Sequence, residues 1–290
     1  MLSRHLGFQR VIFDCDMTLV SVEGIDELAR LKGQAEHIAE LTRQAMDGQI
    51  ALEEVYAKRL ELLRPTRAEL AEVGRIYRRS LFPQTAEVVA ALQQAGLEVH
   101  IVSGGLKAAV LDLAELLHVP AANVQAVAVR MDELQGQWWD YNRHTYAGNP
   151  DETYLAFAPT PLAESSGKSA VVKKLTEDGS RTMMVGDGST DLVTKDVVRL
   201  FVGFGGGERR PAVVEGAQVY LEGPGLAGLL PLALSAAAAA KLADTSYWAT
   251  FRAGVEMLQT GAVLFKDEAH RQRVLQAHTA AEGALRVFGE

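Results

Sequence analysis

Residues 11–20 read Val-Ile-Phe-Asp-Cys-Asp-Met-Thr-Leu-Val, an apolar run that ends in two carboxylates, Asp14 and Asp16, with Thr18 behind them. A short apolar run without polar alternation fits a strand covered on both faces, as in parallel sheets flanked by helices. Side chains two apart on extended backbone share a side, so Asp14 and Asp16 leave the strand's carboxyl end together. Open α/β sheets place their ligands at that end. Adjacent carboxylates repel and are costly to desolvate; a divalent cation, a shared proton or a nearby lysine would compensate them. On this segment alone, two solvated turn acids explain the pattern equally well.

The rest of the chain decides. After residue 20 the apolar period becomes helical, through Ile25, Leu28, Leu31, Ile38, Leu41 and Ala45, then Leu52, Val55, Tyr56, Leu60 and Leu63. Pro65 stops that run, and Thr66 with Glu69 forms a capping-box pattern for a further helix over 67–79. Residues 22–82 therefore read as a helical module inserted after the first strand. An α/β rhythm resumes at Phe82: a helix over 85–95, a strand over 97–102 entering Ser103-Gly104-Gly105, a helix over 107–117 and a strand over 124–129. A helix over 169–177, a strand over 182–185 ending at Gly186-Asp187-Gly188, and strands over 200–204 and 218–221 follow. This alternation predicts a doubly wound parallel sheet. Residues 131–163, rich in aromatics such as Trp138 and Trp139, read as a hairpin or flap with a long loop whose aromatics anchor it. Residues 226–290 are alanine-rich and read as helical throughout, with His270 and His278 on the surface.

Composition narrows the function. The formal charge of −8 argues against nucleic acid or anionic membrane as partners, and an anionic substrate would need a locally positive site. The lone cysteine, Cys15, permits no internal disulfide and suits a reducing cytosol; a small buried hydrophobe is the plainer reading of it than a redox brake. No apolar stretch is long enough to span a bilayer. These features describe a soluble, cytoplasmic protein.

Four groups now point at one sheet edge: Asp14 with Asp16, Ser103 with Gly104, Lys168 at a helix start, and Asp187 with Asp191. Each suits a phosphate ester. A carboxylate can attack phosphorus, splitting hydrolysis into two easier steps. A second acid can protonate the leaving oxygen and later activate water. A serine hydroxyl and glycine N–H groups can hold phosphate oxygens, a lysine lets the dianion approach, and all-oxygen ligands suit Mg²⁺.

Asp14-Cys-Asp-Met-Thr18, Ser103-Gly-Gly, Lys168 and Gly186-Asp187-Gly-Ser-Thr-Asp191, in that order, resemble the four motifs of the haloacid dehalogenase superfamily of phosphatases. Glu23-Gly-Ile-Asp-Glu-Leu-Ala29, Arg59-Leu-Glu-Leu-Leu63, Ala163-Glu-Ser-Ser-Gly-Lys168 and Phe201-Val-Gly-Phe-Gly-Gly206 bring it nearest to the phosphoserine phosphatases, over roughly residues 8–230. The resemblance implies a Rossmann-like α/β core of residues 1–21 and 83–234, a helical cap of 22–82 and a C-terminal helical extension of 235–290. It implies Asp14 as nucleophile and Asp16 as general acid/base. Mg²⁺ would sit on the Asp14 and Asp187 carboxylates and the Asp16 carbonyl, with Asp191 supporting. Ser103, Gly104, Gly105 and Lys168 would hold the phosphate, helped by Thr190. Glu23 would pair a substrate ammonium and Arg59 its carboxylate, with Met46 lining the cap and Arg210 a second anion contact; such an enzyme completes serine biosynthesis.

Leu52 stands where this family often has a phenylalanine that closes over the substrate, residues 131–163 are longer and more aromatic than their counterpart, and the tail beyond 234 has none. Two rivals follow: a capped phosphatase for another small phosphomonoester, such as a phosphosugar or phosphocholine, and a phospho-accepting signalling module. The tail leans towards a homodimer interface.

Overall fold

The computed structural model describes residues 7–46, 52–132, 152–158, 160–176, 179 and 181–287. β1 (Arg10–Phe13) pairs in parallel with β2 (Glu98–Leu106) on one side and β6 (Thr182–Gly186) on the other. Val11 and Phe13 enter the apolar core on one face of the sheet; Ile12 enters the core on the opposite face with Met184 and Phe201. That two-sided burial is what a continuous apolar run achieves and an alternating one cannot.

β3 (Val124–Val127) flanks β2, and β7 (Leu200–Phe204) and β8 (Val219–Leu221) continue beyond β6, all parallel. The spatial order β3-β2-β1-β6-β7-β8 reverses direction at β1, so the switch-point crevice opens at the carboxyl end of β1 and β6. Register supports this: Phe13 lies beside Ile101 and Val185, so the residues after Phe13 emerge level with Ser103 and Asp187.

Between β1 and β2 lie four cap helices, α1 (Gly24–Leu31), α2 (Ala35–Met46), α3 (Leu52–Leu63) and α4 (Arg67–Arg79). Thr66 caps α4, and its capping box with Glu69 is formed as the spacing predicts. The chain enters and leaves this insertion side by side: Ser21 N–H donates to Ser80 O at 2.8 Å and Phe82 N–H to Leu19 O at 3.0 Å. The core helices are α5 (Thr85–Gln94), α6 (Lys107–Leu116), α7 (Gly167–Leu175), α8 (Ser189–Leu192), α9 (Pro211–Gly216) and α10 (Leu229–Ala233).

Three expectations need correction. The strand expected over 124–129 breaks at Ala128: β3 stops at Val127, and β4 (Val129–Met131) pairs antiparallel with β5 (Tyr154–Phe157) in a separate ribbon. The sequence pattern predicts a hairpin or flap within 131–163; the ribbon instead begins at Val129, ahead of that segment, and it docks on the cap, where Tyr154 N–H donates to Pro65 O at 2.8 Å. Residues 133–151, with Trp138 and Trp139, lie outside the described residues, as do the side chains of Met46 and Leu52.

The tail is not helical throughout. Between α11 (Ala236–Ala240) and α12 (Trp248–Thr260) on one side and α13 (Glu268–Val287) on the other, β9 (Val263–Phe265) adds antiparallel to β8. Gly261, at φ 85°, ends α12 in the left-handed region, and the β-prone Val-Leu-Phe that follows covers the open sheet edge. His278 is buried rather than exposed, its Nε2 2.8 Å from Pro231 O and its ring edge-on to Phe251.

Phe251, Leu258, Val263 and Val274 of the tail are each almost wholly buried in the main core. At roughly 1.5–3 kcal/mol per fully buried large apolar side chain, their loss is comparable with the total stability of about 5–15 kcal/mol typical of a domain. A chain ending at residue 234 is expected to lose its cooperative thermal transition by circular dichroism; an unchanged melting temperature would contradict this packing.

Candidate active site

Asp14 follows the last residue of β1 and is buried. The turn beyond it is unusual, because Met17 takes φ 55°, a left-handed conformation rare for a side chain of that size. That reversal lets Thr18 N–H and Leu19 N–H fold back onto Cys15 O, at 3.2 and 2.8 Å. It also aims the Thr18 hydroxyl at Asp187 Oδ1, 2.9 Å away. Local strain of this kind persists where surrounding contacts over-determine it, and here it joins the first acidic motif to the last.

Lys168, the second residue of α7, is buried between two carboxylates, its Nζ 2.7 Å from Asp14 Oδ1 and 2.6 Å from Asp191 Oδ1. Burial alone would lower the lysine's pKa; the two acids outweigh it and raise the pKa above its usual value. Asp191 also accepts from Gly188 N–H at 3.0 Å, closing the turn that carries Asp187. Arg210, at the start of α9, places Nη1 3.4 Å from Asp187 Oδ2.

These groups face a cavity of about 190 Å³. Its wall holds six carboxylates (Asp14, Asp16, Glu23, Glu164, Asp187 and Asp191) against three cations (Arg59, Lys168 and Arg210). The excess of negative charge raises the pKa values of these acids. Burial and the nearby Asp191 hold Asp14 well above the usual carboxylate range. Burial, followed by repulsion from Asp191, pushes Asp187 up to about 6. Burial pushes Glu23 up to about 8, with Asp16 and Asp187 adding to it. Cys15 is buried, and burial plus the flanking acids raise its thiol well above the usual value, which leaves it an unreactive hydrophobe.

Carboxylate oxygens of Asp14, Asp187 and Asp191 lie within 4.8 Å of one another. Asp14 Oδ1, although close to Lys168, has no aligned hydrogen-bond donor. Hard oxygen ligands and surplus negative charge fit a divalent cation such as Mg²⁺. Asp16 turns its Oδ1 towards the Tyr77 hydroxyl, and its carboxylate is not part of that set.

Ser103, Gly104 and Gly105 gather at the same place. The pairing of β2 with β3 shifts register between Val102 and Leu106, and Ser103, Gly104 and Gly105 occupy the irregularity and line the cavity. Ser103 Oγ accepts from Gly105 N–H at 2.9 Å. From the cap come Glu23, just before α1, and Arg59 on α3. Arg59 donates through Nη2 to Thr42 Oγ1, while its buried Nε–H has no partner among the described residues. Thr190 and Arg210 complete the wall.

A model of the haloacid dehalogenase-like hydrolases matches residues 8–194, a span that takes in every one of the four motifs. The chain belongs to that family. It is 35% identical over 213 residues to the phosphoserine phosphatases of Bos taurus and Homo sapiens, a stretch covering 73% of this chain and 88% of each of theirs. A solved substrate-bound phosphoserine phosphatase complex aligns with a TM-score of 0.63 at 23% identity, covering 78% of this chain and 99% of that one, a likeness of fold. Each sequence-predicted site residue except Met46 lines this cavity.

Two residues went unassigned from sequence. Tyr56, three before Arg59 and so on the same helical face, lines the cavity and donates its hydroxyl to Gly104 O at 3.0 Å. Tyr77 on α4 is wholly buried and reaches Asp16. Helical spacing marked Tyr56 as apolar core, and nothing local distinguishes Tyr77 from a packing residue.

Lys168 is the counterion of the buried cluster. Removing one partner of such a group costs about 3–5 kcal/mol. In metal-free protein, Lys168→Met should be destabilised by that order at pH 8. The deficit should shrink towards pH 5, because the uncompensated carboxylates, whose folded-state pKa values are raised, take up protons as pH falls. Urea unfolding at the two pH values checks this; a pH-independent deficit would contradict it.

Proposed function

We propose that this hydrolase is a Mg²⁺-dependent phosphomonoesterase that converts O-phospho-L-serine to L-serine and phosphate through an aspartyl-phosphate on Asp14. One observation carries the reading: one small cavity is lined together by a carboxylate cluster, Ser103-Gly104-Gly105, Arg59, whose Nε–H has no partner among the described residues, and Glu23 with its raised pKa.

Phosphoserine offers three charged handles. Its carboxylate suits the free Nε–H of Arg59, which a point-charge lysine could not present in the same plane. Its ammonium suits Glu23, whose raised pKa falls back when a cation arrives beside it. Its phosphate suits the Ser103 hydroxyl, the Gly104 amide, Thr190 and Lys168, with Gly105 and Arg210 facing the same space. The identity to named phosphoserine phosphatases supports the same substrate.

Asp14 attacks phosphorus along the axis of the leaving oxygen, and Lys168 neutralises the approach of a dianion to an anion. Asp16 has its pKa pushed up to about 6, chiefly by burial, so a protonated fraction is available near neutrality to give the leaving alkoxide its proton. The same carboxylate, once deprotonated, takes a proton from the water that cleaves the acyl phosphate. Asp14, Asp187 and the Asp16 carbonyl would hold Mg²⁺, which when bound offsets charge developing on the transferred phosphoryl oxygens. Asp191 keeps Lys168 and the Asp187 turn in place.

Cytoplasmic location and a place in serine biosynthesis belong to the same proposal; among the described residues, no helix is long and apolar enough to cross a membrane. A homodimer through the C-terminal helices is likewise a proposal, tested by light scattering on the intact chain, since a truncated one lacks part of its core.

Phosphate release from a panel of phosphomonoesters with Mg²⁺ tests the substrate. Phospho-L-serine should be preferred over phosphosugars and phosphocholine, and Asp14→Asn should lose about 10³-fold or more of the rate. Glu23→Gln should raise KM for phosphoserine by about tenfold, corresponding to about 1.4 kcal/mol of lost ground-state binding, with kcat little changed. A preference for another ester with an unmoved KM in Glu23→Gln would leave the chemistry and remove the substrate.

A further inference from the structure

Asp16 is gripped from both ends of the cap. The Tyr77 hydroxyl, near the end of α4, donates to Asp16 Oδ1. The backbone N–H of Gly24, the first residue of α1, lies close enough to the same carboxylate to favour its charged form. The first and last helices of the insertion thus converge on one side chain of the core, and neither Tyr77 nor Gly24 lines the cavity.

The fit around this contact is tight enough to restrict the residues beside it. A Cβ at Gly24 would stand 2.1 Å from Tyr77 Oη. A Cβ at Gly105 would stand 2.9 Å from Asp16 Oδ2, 3.1 Å from Ser103 Oγ and 3.2 Å from Tyr77 Oη. Two glycines therefore clear the space in which the tyrosine meets the acid. With Oδ1 held by Tyr77, Oδ2 is the oxygen turned to Ser103 and Gly105, the side from which the phosphate ester is held.

We propose that Tyr77 is a positioning residue for the reaction: by donating to Oδ1 it keeps the Asp16 proton on Oδ2, facing the leaving oxygen. The inference rests on the acid/base assignment of Asp16 made above. In the first step the Asp14–phosphorus bond forms and the phosphorus–ester oxygen bond breaks. The electron pair stays on that oxygen, and the Oδ2 proton transfers to it. In the second, water adds to phosphorus, its proton goes to Oδ2, and the bond to Asp14 breaks, returning the carboxylate. Tyr77 keeps its own proton throughout; burial and the nearby Asp16 raise its pKa well above the usual value.

A misaligned acid harms only those reactions that need one. Tyr77→Phe should be compared with the wild type in kcat/KM, which ends at leaving-group departure, on phospho-L-serine and on acetyl phosphate. Serine leaves as a basic alkoxide and needs the proton; acetate does not. The variant should lose about tenfold or more on phosphoserine and less than about threefold on acetyl phosphate. Gly24→Ala, whose methyl displaces the hydroxyl while the tyrosine remains, should show the same split and replaces Tyr77→Phe should that chain fail to fold. Equal losses on both esters would mean a merely structural tyrosine and overturn the proposal, as would no loss on either. A wild type that cleaves neither ester would instead overturn the phosphatase reading itself.

Discussion

The ion pairs of Lys168 with Asp14 and Asp191, at 2.7 and 2.6 Å and almost out of reach of water, are the constraint on which the rest of the site depends. Several buried carboxylates within a few ångströms would otherwise repel, and burial already drives Asp14, Asp16 and Asp187 towards protonation. The sheet order supplies the place, since only at the switch point do β1 and β6 present their carboxyl ends side by side. The left-handed Met17, the Thr18 bond to Asp187 and the turn closed by Asp191 then fix where each charge sits. One lysine does not balance the set, and the surplus negative charge suits a divalent cation.

The cap adds selection to this chemistry. Glu23 and Arg59 line the cavity together with the acids, and Tyr56 fastens α3 to the carbonyl of Gly104. Cap and core therefore share hydrogen bonds at the phosphate loop and at Asp16, so the geometry of the reacting groups depends on the placement of the cap. The hairpin of β4 and β5 supports the far side of that cap through Pro65 and the ion pair of Arg67 with Glu152.

Much of this was legible in the residues. The apolar run of 11–13, the acids after it, and the polar groups at later strand ends share one cause: a parallel sheet buries its strands and exposes their carboxyl ends. The capping box at Thr66 is a local signal and was read correctly. What escaped depends on distant contacts. β9 lies in a helix-rich tail and exists because β8 has an open edge. His278 is buried because Pro231 O and Phe251 are waiting for it, 47 and 27 positions away in the chain. Tyr77 carries no mark that separates a hydrogen-bonding tyrosine from a packing one; only the fold brings it to Asp16, 61 positions earlier.

The central claim is that Asp14, held against Lys168, is the group that takes the phosphoryl from the substrate. Its most direct test is acid-quenched single turnover with labelled phospho-L-serine, followed by mass spectrometry of the peptides. Phosphate carried on the peptide containing Asp14, at that residue, is the result expected. Label on Asp187 or Asp191, or turnover with no phosphorylated protein at any time, would contradict it.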